Sequence, residues 1–197
     1  MCNDYEQHVA YAEYCRMLQA LELGQPVDET EDDLPQADDI RIGEMGPVMH
    51  VVGNAVALSP MKFGFPPASP RSGPVFNFKS EGRHFDKSQR CLIPASAFFE
   101  FTGKKYPKAK HRFSSSREPF LAIAGLWREG KGKAGPAFTM LTTEPGSDVA
   151  PYHNRQIVVL PSRKWASWLY LTEPEEKLLR PLPARSLKVE TVREGSD

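Results

Sequence analysis

The feature that most constrains this chain is how often its apolar runs are interrupted. Short stretches of strand length, such as 48–52, 55–58, 75–78, 91–93, 97–101, 120–127, 137–143, 157–160 and 187–192, are each followed within a few residues by Gly, Pro or a charged turn. Runs of four to eight β-branched and aromatic residues bounded by turn formers are too short for helices and suit strands. With 18 prolines and 14 glycines in 197 residues, no long helical array survives. The expected fold is a single α+β domain over 1–197, built on a twisted, mostly antiparallel, barrel-like β-sheet with a few flanking helices.

Three segments read as helices: an amphipathic stretch over 4–23 stopped by Gly24 and Pro26, a helix from Ser162 through Leu169, and a short one over 173–179. Gly53-Asn54 between two strand runs is a hairpin turn, and 120–127 with 137–143 forms a second hairpin. The acidic stretch 28–39 reads as a mobile loop, 63–74 as a Pro-rich surface loop of the kind that binds ligands, and 193–197 as a frayed tail.

Charge sharpens the functional reading. The chain is formally neutral, yet residues 1–59 hold 12 acidic and 2 basic side chains, and residues 60–133 hold 5 and 15. Such segregation fits either a basic face for nucleic acid or a solvated surface. Three cysteines at wide spacing (Cys2, Cys15, Cys91) and five scattered histidines make neither a disulfide framework nor a metal motif. We therefore expect no metal and no cofactor. No apolar run reaches membrane-spanning length and no signal-peptide pattern is present, so the expectation is a cytoplasmic protein that binds no membrane, as a monomer.

Cys2 stands out by position. Loss of Met1 leaves a 1,2-aminothiol, which condenses with an aldehyde first to an imine and then to a thiazolidine; otherwise a penultimate residue frays and does nothing. A helix starting at Asn3 or Asp4 would place its positive end beside the thiol. Three further residues carry possible chemistry. Glu100 lies in an aromatic strand, where burial would raise its pKa, or it ends that strand in water. His153 sits on a loop before a buried strand and suits general acid–base work, or is an ordinary surface histidine. Asn77, amid Val75, Phe76 and Phe78, either offers its amide to a ligand or braces a turn. Lys79 and Arg155, each two residues beyond a candidate, suit phosphates or are simply solvated surface residues.

These residues fall in ordered motifs: Met1-Cys2; Asn77-Phe78-Lys79-Ser80-Glu81; Arg90-Cys91-Leu92-Ile93-Pro94 through Phe98-Phe99-Glu100-Phe101; and Leu141-Thr142-Thr143 through Tyr152-His153-Asn154-Arg155 to Leu160. Together they resemble the SRAP (SOS-response-associated peptidase) family, whose members include abasic-site processing proteins. The resemblance implies a DNA-damage function. Single-stranded DNA containing an abasic site would be bound, and its ring-opened aldehyde would become covalently linked to Cys2. His153 would assist ring opening, Glu100 would shuttle protons, and Asn77 would hydrogen-bond the cross-link. Lys79 and Arg155 would hold phosphates, with Phe63 stacking on bases and Arg71 on the binding loop. Lyase and self-processing peptidase activities are also implied. Asn3-Asp4 stands where the family commonly has Gly-Arg, which removes a phosphate contact and adds repulsion. Two other readings remain: a cysteine-dependent amidohydrolase or peptidase, and a non-catalytic reader of modified DNA using the basic middle segment.

Overall fold

A computed structural model describes residues 2–23, 36–67, 69, 71–130 and 135–197. Its strands form two sheets. The first has the order β13-β8-β7-β1-β2, with β1 Asp4–Gln7, β2 Ala37–Arg41, β7 Ala97–Thr102, β8 Ala109–Ser115 and β13 Leu187–Arg193. The second contains β3 Met45–Val52, β4 Ala55–Phe63, β6 Arg90–Ala95, β9 Leu121–Arg128 and β10 Ala137–Thr143. Pairings β3–β4, β3–β6, β6–β9, β9–β10 and β10–β4 return to their start, so these five strands close into a barrel. Three short strands complete it: β5 Asn77–Lys79 and β11 Gln156–Ile157 beside β10, and β12 Val159–Leu160 beside β9. Pairing is antiparallel except where β10 meets β4 and β5.

Alternation along the barrel strands feeds two cores. Leu92, Ala124 and Leu126 join a cluster with Tyr14 and Leu18 of α1 (Tyr11–Ala20), Trp165 and Trp168 of α2 (Trp165–Tyr170), and Leu178 of α3 (Glu175–Leu178). Cys91, Ile93 and Ile123 join a second cluster with Cys2, Tyr5, Phe98 and Phe113 from the five-stranded sheet. A strand buried on both faces reads as a continuous apolar run, which is why Arg90–Ala95 shows no polar alternation. Gly125 allows two barrel strands to pack closely: a Cβ there would lie 2.6 Å from the Thr139 carbonyl oxygen and against Ile93.

The hairpin at Gly53-Asn54 has the expected register, Val52 opposite Ala55, with Gly53 at φ +61. Four expectations need correction. The first helix starts at Tyr11, because 4–7 pair as β1 between β7 and β2. Tyr5, fully buried in the inter-sheet core, gains more there than from helix periodicity. The loop expected over 28–39 is strand at Ala37–Asp39, while 28–35 lie outside the described residues. The basic connection 102–117 contains β8, whose charges had masked its period. The tail is docked: the Ser196 N–H donates to the Pro107 carbonyl at 3.0 Å, and the Lys104 N–H donates to the Asp197 carboxylate at 2.7 Å. No helix among the described residues is long and apolar enough to cross a membrane.

Candidate functional site

The site forms where the two sheets meet. Strand β1 slots beside β7 with Tyr5 opposite Phe98, which carries Cys2 alongside Phe99 and Glu100. Within β7, Phe98 faces the inter-sheet core. Phe99 lies 3.7 Å under the Lys110 ammonium on the other face. Strand alternation therefore turns Glu100 inward with Phe98, the buried one of the two places the sequence left open for it, and the residue is 1% exposed.

Cys2 is also 1% exposed. Its thiol donates to the Asp4 carbonyl at 3.2 Å. Burial, reinforced by the Glu100 charge, pushes the thiol from 9.0 up to about 12. The expected helix terminus would have lowered it; a strand has no such positive end. Glu100 is raised above the ordinary carboxylate range by burial, partly offset by the charge of His153 and by a hydrogen bond from the Cys2 main-chain N–H. Strand β5, paired in parallel with β10, brings in Asn77, whose Nδ2 donates to the Cys2 carbonyl at 2.9 Å. Its Oδ1 is buried and accepts no hydrogen bond among the described residues, leaving an acceptor for an incoming donor.

His153 lies on the segment from β10 to β11. Its Nδ1 accepts the Arg155 N–H at 3.0 Å and lies 2.9 Å from the Arg155 carbonyl oxygen. A neutral ring can take the first contact and an imidazolium can give the second, so one nitrogen is served in either protonation state. The preceding Tyr152 packs its ring against His111 and Phe113, at centroid distances of 4.6 and 5.4 Å.

Arg155 is held by Glu81 through two hydrogen bonds of 2.5 and 2.9 Å, and donates to Thr142 Oγ1 at 3.0 Å. Glu81 is lowered chiefly by that Arg155 hydrogen bond, with a smaller contribution from the charge of Lys79. Lys79 itself is exposed. Sequence reasoning had placed Glu81 and Thr142 in motifs without giving either a role; their part is to fix the guanidinium. Two nucleic-acid candidates fare differently. Arg71 is exposed, and no contact among the described residues ties it to the group. Phe63 is fully buried, stacked on Phe138 at 5.1 Å with Tyr5 and Phe76 at its edges, so it is unavailable to a base. The segment taken for a loop from 63 in fact begins inside β4, whose last residue points into the core.

Asp4 also differs from expectation. It is buried, with the Lys110 ammonium 3.2 Å from its carboxylate, and Lys110 also pairs with Asp39. Burial and the neighbouring Asp39 raise Asp4 to about 6, while Asp39 stays below its usual range through its bonds to Lys110, Asp4 and Arg41, which outweigh its own burial. One lysine thus balances the charge expected to repel DNA. No cluster of three or more His, Cys, Asp or Glu suited to a metal occurs among the described residues.

A sequence model of the family described as SOS response associated peptidase (SRAP) matches residues 1–195. The chain belongs to the SRAP family. Among its relatives, the abasic site processing protein YoqW of Bacillus subtilis (strain 168) is 31% identical over 110 residues, 51% of this SRAP chain and 49% of YoqW. The abasic site processing protein YoaM of the same organism is 31% identical over 86 residues, 42% of this chain and 38% of YoaM. The matches thus span about half or less of these relatives' lengths. Two crystal structures share the SRAP chain's fold. A protein from Bordetella bronchiseptica aligns over 98% of this chain and 100% of its own with a TM-score of 0.73 at 24% identity. One from Bacteroides thetaiotaomicron aligns over 98% and 92% with a TM-score of 0.75 at 17% identity.

Proposed function

We propose that this SRAP protein processes abasic sites in single-stranded DNA by trapping the ring-opened sugar aldehyde on Cys2. The observation that carries the reading is the Cys2 main-chain nitrogen, which donates to the buried carboxylate of Glu100. Once Met1 is removed, that nitrogen is the α-amine. Placed there, it can pass a proton to Glu100 and attack C1′ as a free base. The carbinolamine loses water, with Glu100 in its acid form supplying the proton, and an imine results. The Cys2 S–H then adds across the C=N bond: sulfur bonds to C1′, the proton goes to nitrogen, and a thiazolidine closes.

His153 assists ring opening by exchanging a proton with the sugar, helped by the two Arg155 main-chain groups at Nδ1. Asn77 keeps the Cys2 carbonyl in place, and its Oδ1 can accept from the thiazolidine N–H. Lys79 and Arg155 address flanking phosphates, Arg155 in a geometry fixed by Glu81. β-Elimination from the imine, self-removal of the residue before Cys2 and service in the SOS response are further parts of the same proposal. So are a monomeric state and a cytoplasmic location. The protonated, buried thiol supports an order in which the amine reacts first; it speaks against an amidohydrolase that needs a thiolate nucleophile.

The test is cross-linking to a single-stranded oligonucleotide bearing one abasic site, with intact-mass analysis, using native protein beside Cys2→Ala. A band that survives denaturation with native protein alone, at the mass of the condensed adduct, is expected. No band from protein shown by mass to start at Cys2 would overturn the covalent mechanism.

A further inference from the structure

The basic residues of the middle segment are not equally available. Arg112 is bound by Glu6 at 2.9 and 2.6 Å, and Lys110 by Asp4 and Asp39. Lys104, Lys105 and Lys108, on the 103–108 turn between β7 and β8, form no ion pair among the described residues. Among them stands Tyr106, 85% exposed.

We propose that this hairpin tip is a docking surface for the single strand flanking the reacting nucleotide, with the Tyr106 ring stacking on a base and the three lysines facing phosphates. The proposal rests on the abasic-site reading above and extends it to residues outside the reactive centre. Three observations support it. First, the tip sets three lysines against the Asp197 carboxylate, which accepts the Lys104 N–H, while Asp4 and Asp39 face Lys110. The Lys108 ammonium stands over the Tyr106 ring, 5.7 Å from its centroid.

Second, the tip is held from behind. Ser196 donates from Oγ to the Tyr106 carbonyl and from N–H to the Pro107 carbonyl, each at 3.0 Å, and the Arg193 guanidinium donates twice to the Lys108 carbonyl at 3.1 and 3.0 Å. A ring displayed on a braced backbone loses little freedom when a base stacks on it. Third, a pocket adjoins the tip and reaches the residues that follow Cys2 in the chain. It has a volume of about 380 Å³ and is lined by Asn3, Asp4, Asp39, Phe101, Lys110 and Arg193. Arg193 is the residue that grips Lys108. A strand leaving Cys2 past Asn3 would run over this pocket to the tip. Tyr106 would thereby supply the base contact that the buried Phe63 cannot.

The experiment is fluorescence anisotropy with an undamaged oligo-dT strand, titrated over a range of salt, so that binding is read apart from the chemistry. Tyr106→Ala should weaken binding at least about fivefold, and Tyr106→Phe should restore it. The triple change Lys104→Ala, Lys105→Ala, Lys108→Ala should lower the slope of log K against log salt by about 2. Unchanged melting temperatures confirm that exposed positions were altered. Unchanged affinity and slope would overturn the docking surface, even if the abasic-site cross-link forms normally. Weakened binding with no cross-link from any variant would instead leave the surface standing and overturn the covalent function.

Discussion

Buried Cys2 should be nearly inert to ordinary thiol reagents, although it is the proposed reactive residue. In the Met1-bearing chain, burial and the Glu100 charge hold the thiol at about 12 rather than 9.0. At pH 7 the thiolate fraction is then about one in 10⁵ instead of about one in 10², roughly a thousandfold loss. A more basic thiolate is intrinsically more nucleophilic, with a Brønsted coefficient of about 0.4–0.5, which returns a factor of roughly 20. The balance is alkylation about 50-fold slower than an unperturbed thiol, before counting the steric shielding of a residue 1% exposed. The assay is timed iodoacetamide labelling at pH 7 followed by peptide mapping, with half-exposed Cys15 as the internal reference. Cys15 should label first, and Cys2 should match it only after denaturation. Equal rates in the folded chain would refute the buried, protonated thiol and with it the amine-first order.

Two further outcomes follow from burial. Glu100→Gln should raise stability at neutral pH and flatten its pH dependence. The native carboxyl holds its proton above the unfolded value of about 4.5, so its contribution is complete below that pH and is lost as pH rises toward the higher folded pKa. Thermal melts across pH 4–8 check this; a native protein whose stability does not fall over that window relative to the variant would contradict it. Phe63→Ala should cost about 3–5 kcal/mol in urea unfolding, because it empties a fully buried site between Phe138 and Tyr5. A loss under 1 kcal/mol would show that the ring is not part of the core.

The sequence by itself determined the strand-rich barrel, the two hairpins, the face of its strand that Glu100 shares with Phe98, and the motifs that carry Cys2, Asn77 and His153. These are local properties: side-chain period, Gly-Asn turn chemistry and residues at fixed offsets. Tertiary structure decided what period cannot carry. Residues 4–7 have a helical pattern yet pair as a strand, because an open place between β7 and β2 buries Tyr5 and carries Cys2 to Glu100. The chain's segregated charges look like a basic face in one dimension. In the fold two of those basic residues meet their opposites across the five-stranded sheet, Arg112 with Glu6 and Lys110 with Asp4 and Asp39. Burial likewise turned Phe63 from a surface aromatic into core, and left Tyr106 as the ring displayed to solvent. Pairing partners and desolvation both depend on residues distant in the chain. They therefore set the protonation of the site and the exposed charge only once the two sheets are together.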